Sequence, residues 1–221
     1  MTAIARSRSS RWLPFALLGL GALPVAAGTL RLSELGGAAP VLPFNPRIAA
    51  SPVPAIIHVA SAIVYLAVGA FHFAPPVRRR WLVWHRRAGP VLVALGLAVA
   101  LSALWMTQFY PTEGGTGILH YLFRLCFGTA MAACLVLGVA AIRRFDFPAH
   151  QAWMIRAYAL AAGAGTQVFT LGFTETLLGA SPLTSGLALG AGWVINLAAA
   201  EYVITRIHNA RSKSPIALQE A

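Results

Sequence analysis

The chain has 221 residues, 58% of them hydrophobic and only 10% charged, a balance that makes the bilayer rather than water its main solvent. That length holds about six spans of roughly 20 residues joined by short loops, which leaves no room for a separate soluble domain. The formal net charge of +11 does not point to nucleic acid, because the arginines flank apolar runs, where anionic headgroups are the nearer partner.

Arg6, Arg8 and Arg11 form a basic N-terminus, residues 1–11, ahead of an apolar run from Trp12 to Leu30. That run is long for the core of a secretory signal and reads as a retained first span, with Pro14 and Pro24 inside it. Residues 31–52 contain Pro40, Pro43 and Pro46 and read as an irregular outer loop. The second span, Pro54 to Pro75, carries His58 and His72, which a helix sets roughly 21 Å apart and about 40° from each other in azimuth. Both imidazoles therefore look into one interior, one near each membrane face.

The segment from Pro75 to Arg87 is basic and bears Trp81 and Trp84, a composition that suits the headgroup layer. Spans three to six are expected at Pro90–Phe109, Ile118–Arg144, Pro148–Phe173 and Leu183–Thr205, with a glycine-rich turn, 113–117, between the third and fourth. The predicted fold is an all-α, polytopic transmembrane bundle of six spans over residues 12–206, with a polar tail over 207–221. Arg6, Arg8, Arg11, Arg78–Arg80, Arg86, Arg87, Arg143, Arg144, Arg206, Arg211 and Lys213 fall on one side, and only Arg31 and Arg47 on the other. The positive-inside tendency then makes both termini cytoplasmic.

This topology sorts the intramembrane polar residues by depth. His58, His120 and Arg124 lie at an outer level, and the step of four from His120 to Arg124 puts them on one helix face. At an inner level lie His72, His85, His150 and Arg156, with Asn196 and Glu201 close in depth. His150 and Arg156 are six apart, about 120° around their helix, so they cannot share one centre fully. Ionisable groups in hydrocarbon turn inward and find partners. Two neutral imidazoles on facing helices can take the axial positions of a b-type heme, with an arginine on a propionate. The expected iron ligands are His58 and His120 at the outer level and, at the inner one, His150 with His72 or His85. The same residues also fit a polar network that fixes helix packing, or a proton or solute path through Arg124, Arg156 and Glu201. The bilayer is the main partner, joined by a redox partner or a small solute.

Cys126 and Cys134 are eight apart within one run, too distant to bridge, and there is no CxxCH for covalent heme and no HExxH for zinc. Gly163, Gly165, Gly186, Gly190 and Gly192 read as sites of close helix contact. Trp105, Tyr110, Trp153 and Tyr202 stand near span ends, where an interfacial belt is expected.

Three stretches carry a resemblance. His150-Gln151-Ala152-Trp153-Met154-Ile155-Arg156-Ala157-Tyr158-Ala159-Leu160, Trp84-His85-Arg86-Arg87-Ala88-Gly89 and Trp193-Val194-Ile195-Asn196-Leu197 through Glu201 resemble the HxxWMIRxYAL, HRxxG and WxxNLxxAE motifs of a bacterial family of predicted membrane proteins, domain of unknown function 2306. The resemblance covers roughly Pro54 to Arg206 and implies a six- or seven-span membrane protein of unestablished activity. It gives weight to the inner level, where His85, His150, Arg156, Asn196 and Glu201 stand at motif positions. His72 departs from the family pattern, which more often has glutamine there, and Pro90 stands where a basic residue is expected.

Overall fold

The computed structural model describes residues 2–74, 80–111 and 117–212, with side chains from Trp12 onward. The segment Pro75–Arg79, most of the glycine-rich turn and the tail beyond Ser212 lie outside the described residues. Among those described, all regular structure is helical: α1 (Thr2–Leu35), α2 (Pro46–Ala50), α3 (Pro52–His72), α4 (Leu82–Phe109), α5 (Ile118–Arg143), α6 (Phe147–Leu178) and α7 (Pro182–Ser212). With no water in hydrocarbon to satisfy peptide groups, long apolar stretches close their hydrogen bonds internally as helices. The protein is a polytopic helical bundle, as the composition requires.

Among the described residues, five helices are long and apolar enough to cross a membrane: α1 from Trp12, α3, α4, α5 and α7. The remaining long helix, α6, has 32 residues and so runs about 48 Å, but it carries His150, Arg156 and Gln167 and is less apolar. Its position explains this. α6 packs against α1, α3, α5 and α7, so much of its surface meets protein instead of lipid. Three-residue links on either side, 144–146 and 179–181, fold it back along α5 and α7. Phe145 (φ 60) makes the first reversal, and Gly179 (φ 76) supplies the second with a left-handed residue after the helix end.

Local chemistry sets several boundaries. Asn45 caps α2, accepting from the amides of Arg47 and Ile48, and Asp146 caps α6 through the amide of Ala149. Pro46, Pro52 and Pro148 sit in first turns, where their missing N–H costs nothing. α1 runs to Leu35, beyond the Leu30 expected, because its last turn holds the loop that follows. Glu34 accepts the amides of Val41 and Leu42 at 2.6 Å and pairs with Arg31, which also donates to the carbonyl of Pro43. From Leu82 on, the basic, Trp-bearing stretch before Pro90 is the start of α4. Its long side chains reach outward while the backbone stays helical, and Pro90 lies inside the helix.

The core is made of small residues and few large ones. Ala70, Ala100 and Ala157 are almost fully enclosed around Leu135, and Tyr65 and Tyr158 are the large buried rings. The Tyr158 hydroxyl donates to the carbonyl of Leu66 at 2.8 Å, tying α6 to α3, and its ring covers Gly69. The expected close contacts at glycine are present: Gly190 faces the Phe123 ring and Gly163 faces Trp193. Gly165 is the least replaceable of these, since any Cβ there would overlap the backbone carbonyl of Leu20 in α1. Gly165→Ala is therefore expected to cost about 1–3 kcal/mol in micelle unfolding and to loosen α1. Gly138→Ala should cost less, because its Cβ would meet the movable end of Met154. Equal losses at both positions would contradict this packing.

Trp105 and Tyr202 are exposed, as a belt requires, whereas Trp153 packs into the bundle against Gly138. The Tyr110 hydroxyl donates to the carbonyl of Ser51, pinning the end of α4 to the start of α3.

Candidate functional site

His58 stands six residues into α3, and His120 and Arg124 stand two and six residues into α5, so all three lie within about 9 Å of the ends where those helices begin. They border one cavity of about 330 Å³. Its other walls come from α1 (Pro24, Val25, Gly28), α4 (Val99, Ala100), α6 (Gln167) and α7 (Trp193). The volume is at the lower end of the range for small-molecule pockets, about 300–1,000 Å³. The three residues expected at the outer level thus line one and the same cavity. Gln167 and Trp193 were not anticipated there; a glutamine within an apolar run was the available signal.

The His58 ring is oriented by its neighbours. Nδ1 lies 3.0 Å from the carbonyl of Val99 and 3.1 Å from the hydroxyl of Ser102, which itself donates to the carbonyl of Ala98. A carbonyl oxygen only accepts, so Nδ1 carries the hydrogen and Nε2 carries the lone pair. Backbone bonding of this type fixes tautomer and ring direction in metal-ligating histidines. Gln167 donates to the carbonyl of Leu189, outside the cavity, and Trp193 packs at a tilt on Phe127, another lining residue, with centroids 4.9 Å apart.

The inner residues take different arrangements. His72 and His85 stack face to face, with centroids 3.7 Å apart and planes 16° from parallel, beside Trp84. His150 donates through Nδ1 to the carbonyl of Gly138 at 2.8 Å, reaching α5. Arg156 reaches α7, where Nε and Nη2 bind the two oxygens of Glu201 at 2.5 and 2.9 Å, and its guanidinium covers the Trp153 ring. The 120° between His150 and Arg156 is used to grip two different helices. Asn196 accepts from Thr166 and donates to the carbonyl of Ala159, again between α7 and α6. No group of three histidine, cysteine or acidic side chains placed to hold a metal ion occurs among the described residues.

Two contacts join one motif stretch to another, Arg156 to Glu201 and Asn196 to the carbonyl of Ala159. The other motif residues meet positions outside the motifs: His85 meets His72, Trp193 meets Gly163 and Asn196 meets Thr166. No curated protein and no solved structure matches the chain. Residues 55–204 match the family model described as predicted membrane protein (DUF2306), about two thirds of the chain, and the protein belongs to that family.

Proposed function

We propose that the outer cavity would hold one b-type heme, with His58 and His120 as the residues that would ligate its iron and Arg124 as the partner of a propionate, and that the protein carries electrons within the membrane. The observation that supports this reading is the convergence on one cavity of two imidazoles and a guanidinium from α3 and α5. His58 suits the role of ligand, since its backbone bond to Val99 leaves Nε2 as the donor atom. Arginine suits a propionate because its planar fork matches a carboxylate. When bound, the heme supplies a reversible one-electron couple. The chain's own part is to hold the imidazoles, neutralise the propionate and exclude water with the apolar walls.

The basic residues mark a cytoplasmic side. Arg86, Arg87, Arg143, Arg144, Arg206 and Arg211 lie at the end where α4 and α6 begin, while Arg31 and Arg47 lie at the other. With the positive-inside tendency this supports a place in a bacterial inner membrane with the cavity in the outer half, where the heme reading calls for an electron donor or acceptor as partner.

The test is optical. A purified, heme-replete preparation should show a Soret band and, on reduction, an α-band. A colourless preparation would overturn the proposal. The second reading, a proton-coupled path for an anionic solute, draws on Arg124 at the same cavity. It requires dye-reported proton flux in proteoliposomes that falls in Arg124→Gln.

A further inference from the structure

A second cavity, about 220 Å³, lies between the first turns of α6 and the last turns of α7 and shares no lining residue with the histidine cavity. On α7 it is lined by Ile204, Ile207, His208 and Arg211, a spacing of three, four and seven that makes one continuous stripe. Facing this stripe on α6 are Ala152 and Ile155. The small side chain of Ala152 opposite two isoleucines leaves a trough with apolar walls.

The trough has a polarity along its length. From Ile204 to Arg211 it advances about 10 Å toward the helix end and passes from apolar to cationic. Arg211 already donates to Gln151 at 2.6 Å, but a guanidinium has five N–H groups and one bond leaves others to offer. Arg143 ends α5 and Arg144 opens the three-residue link to α6, so this end of the bundle carries further basic side chains. Asp146 takes the amide of Ala149, so an anion here would be held by side chains instead of the α6 terminus.

We infer that this trough binds an anionic phospholipid, its phosphate on Arg211 and His208 and the upper part of an acyl chain along Ile155, Ile204 and Ile207. Membrane depth and charge select this occupant. An amphiphile of the surrounding leaflet presents hydrocarbon and phosphate in the same order, and basic pockets between helices at a cytoplasmic face are suited to anionic headgroups. The inference is independent of heme and would stand in a colourless protein.

Native mass spectrometry of the full-length protein in detergent tests it, with phosphatidylglycerol, phosphatidylcholine and sodium phosphate as probes. Phosphatidylglycerol should be retained about tenfold more tightly than phosphatidylcholine. Arg211→Gln should weaken its retention about fivefold, the effect of one basic side chain near an anionic surface. Ala152→Phe, which changes no charge and fills the trough, should weaken both lipids. Arg86→Gln, a charge change on α4, should leave the preference unaltered. Equal retention of the two lipids by the wild type would overturn the inference. So would wild-type behaviour in both trough variants, or an Arg86→Gln loss as large as that at Arg211. Complete displacement of the lipid by equimolar sodium phosphate would show that the basic groups select a free anion, and would overturn it as well.

Discussion

Alanine at His58 or at His120 is expected to abolish the low-spin heme spectrum, the largest effect any single substitution should have on pigment. Each variant removes one of two iron ligands and leaves a void beside the porphyrin, so affinity and spectrum fall together. Variants around the ligands should have graded effects. Ser102→Ala keeps the Val99 carbonyl for His58 but removes the second contact to Nδ1, and should weaken heme retention about tenfold. Arg124→Gln deletes the propionate's charged partner and should act on a similar scale, about 1.5–3 kcal/mol for a hydrogen bond to a charged group. His72→Ala and His85→Ala, at the other end of the bundle, should leave the outer heme's bands in place. A wild-type spectrum from folded His58→Ala protein would remove the ligand assignment.

Glu201→Leu should destabilise the bundle by about 2.5–3.5 kcal/mol, the cost of leaving the Arg156 charge without its carboxylate in hydrocarbon. The pair is bidentate and joins α6 to α7, and Arg156 also rests over Trp153, with 4.8 Å to the ring centroid. Arg156→Leu alone should be comparably harmful. The double variant, Arg156→Leu with Glu201→Leu, should recover most of the loss, because two apolar side chains of suitable size need no partner in lipid. Unfolding in mixed micelles gives the three values. If the double variant loses as much as the two single ones added, the residues act separately and the contact holds nothing together.

Hydropathy made the long helices legible, since an apolar run in a bilayer has almost no alternative to helix. Boundaries were harder to read. The start of α4 looked like a loop because arginines and tryptophans dominate it, yet such side chains extend from a helical backbone to the headgroup layer. The short helix α2 depends on Asn45 capping five residues, too few for a periodic signal.

That His58, His120 and Arg124 line one cavity was readable in part: His120 and Arg124, four apart, share a helix face, and His58 stands as many residues from the start of its own helix as Arg124 does from the start of α5. At the inner level depth was right but partners were not deducible. That His72 stacks on His85, or that Arg156 turns to Glu201, depends on how neighbouring helices are rotated, which side-chain spacing within one helix does not encode. The motif stretches drew attention to this level, and their residues bind helix to helix there.

Pro24, Val25 and Gly28 form one side of the histidine cavity, yet they precede residue 55, where the family match begins. The groups that would grip a guest therefore lie inside the matched region, and some of those that size its chamber lie outside it. Evolution or an engineer could reshape the compartment from α1 while leaving both imidazoles untouched.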